Sequence, residues 1–375
     1  MRVLFVCGGT GGHINPALAV AGYLKKQQPN AQILFAGSPL GMEAGLVPKA
    51  GFDFAPIKVK GFQRQLSWRN LKNNMMAVVY LTTSGYRSRQ ILREFRPDVV
   101  MGTGGYVSGP LVRQAAKMGI PTLTHEQNAF PGVTTKLLSK YVDRVMLAVP
   151  EAKKYLNPNA HFVVTGNPVR EAFFTADRNA VRKKMGLEGK ICVLSFGGSL
   201  GARRVNEAMA ELIAHNQNNP NIFHIHATGA YGTELFPQLL KEKGITNSKT
   251  NPNLDIREYI YDMPECFAAA DLVIGRSGAS TLSELEAAGK ASILIPSPNV
   301  AENHQYHNAM TLVRKDAAVV IEEKDLTGKR LCDAFDRLFA DPERLRRLGE
   351  NAASLAINDA NDRIYRQIIE LASKQ

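Results

Sequence analysis

The chain opens with VLFVCGGTGGHINPALAVA at residues 3–21, an apolar run followed by a glycine-rich turn and an alanine-rich segment. This order predicts a buried strand that passes through a tight turn into a helix. Glycines let the backbone approach an anion closely, and the first N–H groups of a helix favour negative charge. The turn at residues 8–13 therefore predicts a site for a phosphorylated ligand.

Two common phosphate motifs do not fit this turn. A dinucleotide fingerprint needs G-x-G-x-x-G and an acidic residue after the second strand. The pattern from Gly9 breaks at Ile14, and no acid follows the run that ends near Gly37. A P-loop needs Ser or Thr after Gly-Lys, and no Gly-Lys pair of this chain has one.

Composition is that of a globular α/β protein. The 375 residues, 45% of them hydrophobic and 21% charged, are enough for two domains. The longest apolar run, Met75 to Leu81, is far shorter than the ~20 residues of a membrane helix, and we expect no signal peptide. Four widely spaced cysteines without CxxC predict a reducing compartment and no zinc site. Because the chain has no Asp-x-Asp pair, we expect no metal-chelated diphosphate, and no cofactor is predicted.

Much of the net charge of +12 lies in one window. Between Lys58 and Arg96 there are nine basic residues and one acid. The same window carries apolar residues at Trp68, Leu71, Met75, Met76 and Val79. Such a pattern fits the surface of an anionic bilayer, where each nearby basic residue contributes about 1 kcal/mol. It equally fits a core helix with a solvated basic face, whereas nucleic acid is disfavoured because no binding motif accompanies the charge.

Strand-like runs alternate with helical stretches, which predicts parallel sheets with helices on both faces. The predicted strands are 2–7, 32–36, 99–101, 121–124 and 144–149 in the first half, and 191–196, 223–227, 254–258, 272–275, 291–295 and 318–321 in the second. The second half repeats the strand-then-glycine theme at residues 197–202. We therefore expect two doubly wound domains, 1–165 and 166–354, that face each other across a cleft. A helix at about 355–375 would pack back on the first domain.

Four further segments follow predicted strands and so fall at the carboxyl edge of a sheet, where ligands bind. They are GTGGYVSGP at 102–110, HEQNAFPG at 125–132, GRSGASTLSEL at 275–285 and the amide-rich run from 295 to 309. The third is a second anion cradle, in which Glu284 is placed to accept hydrogen bonds from ribose hydroxyls. Each segment alone is also explained by turns and helix caps.

Together these motifs resemble the MurG family of bacterial glycosyltransferases. The resemblance rests on GGTGGHINPALAVA (8–21), GTGGYVSGP (102–110), HEQNAFPG (125–132), GNPVR (166–170), GGSLGA (197–202), GRSGASTLSELEAAGKASILIP (275–296) and NHQYHNA (303–309). It implies a GT-B fold and inverting, metal-independent transfer of N-acetylglucosamine from UDP-GlcNAc to the C4 hydroxyl of the N-acetylmuramoyl sugar of lipid I. The product is lipid II for peptidoglycan. The resemblance also implies that the protein acts at the cytoplasmic face of the bacterial cell membrane, where it binds peripherally to anionic lipids. Other cell-wall synthesis or division proteins are the implied partners.

The resemblance also implies which residues bind the donor. It assigns UDP-GlcNAc to Thr10, Gly11, Gly12, Asn128, Arg170, Ser199, Ile260, Ala279, Ser280, Thr281, Leu282, Ser283, Glu284 and Gln305. Among these, Ile260 would meet the uracil, residues 279–284 the diphosphate and ribose, and Gln305 the sugar. The apolar residues of the basic window would meet the membrane and the lipid acceptor.

Two residues compete for the role of general base. His13 closes the first glycine turn, and Glu126 lies in the HEQN segment. Either a neutral imidazole or a carboxylate can take a proton from a sugar hydroxyl. The alternatives to this function are a UDP-sugar 2-epimerase, another GT-B transferase with a lipid acceptor, and a noncatalytic nucleotide-binding module.

Overall fold

Two separate parallel sheets organise the chain. The computed structural model describes residues 1–59, 84–246, 250–300 and 303–373. Internal contacts divide the chain into two units: unit 1 is Met1–Arg170 with Asn358–Gln375, and unit 2 is Glu171–Ile357. Each unit is described by itself below.

Unit 1 contains a parallel sheet with seven strands in the described part of the chain, in the order β3-β2-β1-β4-β5-β6-β7. The strands are β1 Arg2–Val6, β2 Gln32–Gly37, β3 Asp53–Pro56, β4 Val99–Gly102, β5 Thr122–Glu126, β6 Arg144–Leu147 and β7 Phe162–Val164. The helices of this part are α1 Gly11–Gln27, α2 Glu43–Lys49, α3 at 84–95, α4 Ser108–Lys117 and α5 Val133–Leu138, with a 3-10 turn at Pro150–Tyr155.

Strand β1 shows why an uninterrupted apolar run forms the centre of such a sheet. Val3 and Phe5 lie in one buried cluster with α1, while Leu4 and Val6 lie in another. Alternate side chains of a strand point to opposite faces, so both faces of β1 are covered. The predicted doubly wound arrangement is confirmed.

Unit 2 contains a second parallel sheet, in the order β10-β9-β8-β11-β12-β13. Its strands are β8 Ile191–Phe196, β9 Ile222–Ala227, β10 Leu254–Arg257, β11 Leu272–Gly275, β12 Ser292–Leu294 and β13 Val319–Val320. Its helices are α6 Ala172–Thr175, α7 Arg178–Lys184, α8 Arg203–Asn216, α9 Leu235–Glu242, α10 Met263–Ala269, α11 Ala279–Ala288, α12 His304–Val313, α13 Gly328–Phe339 and α14 Pro342–Ser354, with a 3-10 turn at Glu323–Asp325.

The last helix, α15 (Ala360–Ala372), belongs to unit 1. Ile364, Ile368 and Leu371 recur at helical spacing and are buried in the cluster that contains α1. At its first turn, Asn361 Nδ2 donates to the Val169 carbonyl at 2.6 Å. The helix therefore contributes core to a sheet that is formed more than 200 residues earlier in the sequence.

The sequence prediction differs from the structure at two strands and at the domain boundary. Strands β3 and β7 were not predicted; both are short edge strands, and β3 is only half-buried and ends in a proline. The prediction placed 166–170 in the second domain, whereas these residues fall in unit 1. Hydrogen bonds from His125 and Asn167 tie this stretch to the loop after β5.

The predicted membrane surface lies outside the described residues. Trp68, Leu71, Met75, Met76 and Val79 all fall between residues 60 and 83. Across the residues that are described, no helix combines the length and apolarity that crossing a membrane requires.

Candidate active site

The glycine-rich motifs lie at the two points where strand order reverses. In unit 1 the chain moves outward from β1 in one direction and from β4 in the other, so the loops after these strands flank a crevice. In unit 2 the same holds for the loops after β8 and β11. Ligands of open α/β sheets bind at such points, and this geometry brings the separate sequence motifs together in pairs.

In unit 1 the two glycine loops are in direct contact. A Cβ added at Gly105, whose φ is +82°, would lie 2.1 Å from the Gly8 carbonyl oxygen. A Cβ added at Gly104, whose φ is +111°, would lie 2.4 Å from Nδ1 of His13. Only glycine fits at these positions, and it lets the imidazole of His13 lie against the second loop.

His13 is held by the loops after β4 and β5. Its Nδ1 is 3.1 Å from the Thr103 carbonyl oxygen and 3.3 Å from Oε1 of Gln127. The Thr103 hydroxyl donates in turn to the His13 carbonyl at 2.7 Å. The side chain is thus oriented by two elements besides its own helix.

Glu126, in contrast, is a buried carboxylate that binds its own loop. Its carboxylate is only 2% exposed, and Oε1 accepts from both the backbone and the side-chain N–H of Asn128 at 3.1 Å. Its Oε2 accepts from the Gly132 N–H at 3.1 Å. Both oxygens are therefore engaged in holding the loop. The Asn128 side chain is likewise engaged in this loop.

A carboxylate that sequence reasoning missed lies beneath the first glycine turn. Glu43, at the start of α2, is fully buried; its Oε2 accepts from the Gly9 N–H at 3.2 Å and its Oε1 from the Ser38 N–H at 2.8 Å. It therefore engages one amide of the turn and places negative charge under it, which opposes an anionic ligand there. No spacing rule in the sequence links Glu43 to Gly9.

The remaining predicted residues of unit 1 lie near this turn or at the end of the unit. Thr10 is exposed at the N-cap of α1 with no side-chain capping bond, and Gly11 and Gly12 form the first turn of that helix. Arg170 is the last residue before unit 2 begins.

Unit 2 has a cavity of about 400 Å³ at its switch point. It is lined by Gly197, Gly201, Ala202, Arg203, Arg204, Arg276, Ser297, Asn299, Gln305 and Glu323. The volume lies in the range of small-ligand sites. Of the predicted donor residues, Gln305 lines the cavity, and Ser199 belongs to the glycine loop that forms one wall.

The cavity is electropositive. Three arginines line it against one carboxylate, Glu323, so the lining residues carry a formal charge of +2, while Glu207, outside the lining, pairs with Arg203 and Arg204 at 2.8 and 3.7 Å. Arg276 pairs with Glu323 and also donates to the carbonyls of Ile295 and Pro296 at 3.1 and 3.2 Å, so its guanidinium is fixed in place. The prediction omitted all three arginines. Their signal was present in the sequence, because each directly follows a strand or a glycine loop.

Gln305 is oriented by a backbone contact. Its Oε1 accepts from the Ser297 N–H at 2.9 Å, which leaves the NH2 end of the amide as the donor that it can offer to a ligand. The Ser277 hydroxyl fixes the same turn by donating to the Gln305 carbonyl at 2.8 Å.

The other predicted donor residues do not line this cavity. Helix α11 begins at Ala279 beside β11, so Ser280, Thr281 and Ser283 lie in its first turns. Leu282 and Glu284 are buried in this helix. Ile260 is 2% exposed, so contact with a base would have to come from its backbone rather than from its side chain.

Comparison with known proteins identifies the family. The sequence model of the glycosyltransferase family 28 N-terminal domain matches residues 3–147, and that of the C-terminal domain matches residues 192–364. The chain is 45% identical over 372 residues to a UDP-N-acetylglucosamine--N-acetylmuramyl-(pentapeptide) pyrophosphoryl-undecaprenol N-acetylglucosamine transferase of Acetivibrio thermocellus, covering 99% of this chain and 98% of that protein. The chain belongs to the MurG family. It is therefore a glycosyltransferase.

Solved structures agree with this placement. MurG of Acinetobacter baumannii superposes with a TM-score of 0.69 at 28% identity, over 98% of this chain and 99% of that one. A UDP-GlcNAc 2-epimerase from Neisseria meningitidis superposes with a TM-score of 0.66 at 13% identity, over 99% of this chain and 100% of that one. The second likeness shows the shared fold alone. Across the described residues, no three His, Cys, Asp or Glu side chains are grouped to hold a metal ion.

Proposed function

We propose that this MurG-family chain transfers N-acetylglucosamine from UDP-GlcNAc to the C4 hydroxyl of the N-acetylmuramoyl sugar of lipid I, with inversion, and so makes lipid II for peptidoglycan. The observation that carries the proposal is 45% identity along almost the whole chain to a transferase whose name states this donor and this acceptor. The switch-point sites of both units support it, since each offers chemistry that the reaction needs.

Unit 2 would bind the donor. A nucleoside diphosphate sugar carries two negative charges, which suits the formal charge of +2 around the cavity. As the bond from the sugar to the diphosphate breaks, negative charge grows on UDP. Fixed guanidinium groups such as that of Arg276 stabilise it without having to reorganise. The NH2 group of Gln305 would donate to a sugar hydroxyl.

Unit 1 would activate the acceptor. The acceptor hydroxyl must lose a proton as its oxygen attacks the anomeric carbon, and a positioned base contributes about 10²–10⁴-fold to such a step. His13 is the base that we assign. Its ring is fixed by the loops around it, whereas both oxygens of Glu126 are engaged in holding their own loop.

The test supplies UDP-GlcNAc with and without a lipid I analogue and follows both UDP release and disaccharide. We expect disaccharide only with the acceptor, and UDP release in equal amount. UDP release that needs no acceptor would contradict the proposal. Conversion of the donor alone to a second UDP-sugar would favour the epimerase alternative, which the shared fold leaves open.

The same protein tests the choice of base. We expect His13→Ala to lower kcat strongly while the affinity for UDP-GlcNAc, measured by calorimetry, stays unchanged. Glu126→Gln is the comparison: it keeps one acceptor oxygen for the loop. The assignment of His13 is wrong if His13→Ala retains turnover and Glu126→Gln does not.

We also propose that the chain acts at the cytoplasmic face of the cell membrane, bound peripherally through the basic window. What supports this is the window's nine basic residues against one acid, together with its apolar residues. Sedimentation with vesicles should show binding to anionic but not to zwitterionic lipid, and weaker binding as salt rises. Replacing Trp68 and Leu71 by Ser should reduce that binding. Equal binding to both kinds of vesicle would contradict the electrostatic part of the proposal.

A further inference from the structure

The carboxamide of Gln127 lies between two histidines of unit 1. Its Nε2 is 2.9 Å from the Thr103 carbonyl oxygen and 3.2 Å from that of His125. Both of these atoms can only accept, so the NH2 end must face them. The opposite orientation would place oxygen against two carbonyl oxygens. Because Gln127 is 4% exposed, solvent offers no alternative partners.

The contacts of His125 show which of its two ring nitrogens donates and which accepts. Its Nε2 is 2.9 Å from the Gly166 carbonyl oxygen, which can only accept, so this nitrogen carries a proton. Burial lowers the pKa of His125 to about 4, so the ring is neutral at neutral pH and has no second proton. Its Nδ1 is therefore an acceptor, and it lies 3.1 Å from the NH2 group of Gln127.

The Thr103 carbonyl and the other end of the Gln127 amide together determine which nitrogen of His13 is protonated. The two partners of His13 Nδ1 are the Thr103 carbonyl oxygen and Oε1 of Gln127, and both accept. A neutral imidazole donates from one nitrogen and accepts at the other. Nδ1 must therefore be the donor, which leaves the lone pair on Nε2.

We propose that Gln127 and His125 are positioning residues that hold His13 as its neutral Nδ1–H tautomer, so that Nε2 is the nitrogen that removes the acceptor proton. The inference rests on the proposed function and deepens it. In the reaction, the acceptor oxygen bonds to the anomeric carbon and its proton moves to Nε2. The bond from that carbon to the diphosphate oxygen breaks, and its electron pair leaves with UDP. The imidazolium that results is stabilised by donation from Nδ1 to the Thr103 carbonyl.

The test compares two matched substitutions. Gln127→Met keeps the length of the side chain but removes the amide that links the two histidines. Gln114→Met is the control: Gln114 lies in α4 of the same unit, and within the described residues its buried Nε2 has no hydrogen-bond partner. Histidine-selective 15N labelling, with long-range proton–nitrogen correlation, distinguishes the protonated from the bare nitrogen of each ring. His13→Ala assigns the signal.

In the unsubstituted protein we expect His13 to show a protonated Nδ1 and a bare Nε2. Gln127→Met leaves Nδ1–H with the Thr103 carbonyl as its acceptor, so the Nε2–H tautomer should gain population, and kcat should fall on the order of 10²-fold because the base is less firmly oriented. KM for UDP-GlcNAc should stay unchanged, since the donor cavity lies in unit 2. Gln114→Met should alter neither the tautomer nor kcat. His125→Phe removes one of the three acceptors near the Gln127 NH2 group, so it should act in the same direction as Gln127→Met but more weakly.

A protonated Nε2 in the unsubstituted protein overturns the inference, and that measurement needs no variant to fold. A normal kcat in Gln127→Met also overturns it. A normal kcat in His125→Phe would show that His125 is not a positioning residue. The proposed function fails separately: a protonated Nδ1 with no acceptor-dependent disaccharide refutes the reaction and leaves the tautomer assignment standing.

Discussion

Gly104→Ala should abolish most turnover, whereas its effect on the free energy of unfolding should be similar to that of a matched glycine substitution. The new Cβ would lie 2.4 Å from Nδ1 and 2.7 Å from Cε1 of His13. Ordinary van der Waals contact begins near 3.4 Å, so the ring must retreat by about 1 Å. A side-chain ring can move at little cost in stability, but a displacement of this size at the reacting atoms lowers kcat by about 10²-fold.

The control for this experiment is Gly119→Ala. Gly119, which follows α4, also has a positive φ of +74°, but a Cβ added there would meet nothing within 4 Å. Both substitutions force an L-residue into unfavourable backbone geometry, at about 1–3 kcal/mol each. Only Gly104→Ala also displaces His13.

Two assays separate the effects. Thermal or urea unfolding should show similar losses for the two variants, and steady-state disaccharide formation should show a large fall in kcat for Gly104→Ala alone. A kcat of Gly104→Ala within twofold of that of Gly119→Ala would refute the placement of His13 as the base.

Three further predictions concern stability. Ile368→Ala should cost about 2–5 kcal/mol of unfolding free energy, since this side chain of α15 is fully buried in the unit 1 core; a loss under 1 kcal/mol in urea titrations would argue against that packing. Glu43→Gln leaves one oxygen for the two N–H groups from which the carboxylate accepts, so the free energy of unfolding from urea titration should fall by about 1–3 kcal/mol. An unchanged midpoint of the titration would contradict this prediction. Burial lowers the pKa of His224 and of His226 to about 3, below an unfolded value of about 6.5. Each neutral histidine therefore makes its full contribution to the free energy of unfolding above about pH 6.5. That contribution is lost as pH falls towards 3, and about 2 kcal/mol of it is lost by pH 5. The free energy of unfolding should therefore be smaller at pH 5 than at pH 7.5, and His226→Phe should reduce this difference by the contribution of one histidine. An unchanged difference would show that His226 is not the group that titrates.

The sequence predicted that the glycine motifs lie at the carboxyl edges of the two sheets because that position follows from topology. An apolar run such as that of β1 is buried on both faces only in a covered parallel sheet, and the loops after such strands meet at one edge. The glycine motifs after β1, β4, β8 and β11 were therefore predictable as neighbours in pairs. Strands β3 and β7 were not, because a short edge strand needs no continuous apolar run.

Hydrogen-bond partners within the site were not predictable, because they join residues far apart in sequence. Glu126 and His13 were both candidates from the sequence, and the loop contacts of both carboxylate oxygens of Glu126, on which our assignment of His13 rests, are visible only in the structure. Arg276 and Glu323 are 47 residues apart, and no periodicity connects them. Which nitrogen of His13 is bare depends on Thr103 and Gln127, which lie 90 and 114 residues further along the chain.

The two glycine turns that look alike in sequence differ in what lies against them. Under the first, the buried carboxylate of Glu43 accepts from the Gly9 N–H, so this turn is disfavoured for a diphosphate and suits an uncharged hydroxyl beside a base. Beside the second, Arg203, Arg204 and Arg276 line the cavity, so that turn suits the diphosphate. The glycines determine how closely a ligand can approach the backbone in both units. The charges packed against them are the basis on which we propose the acceptor half of the reaction for unit 1 and the donor half for unit 2.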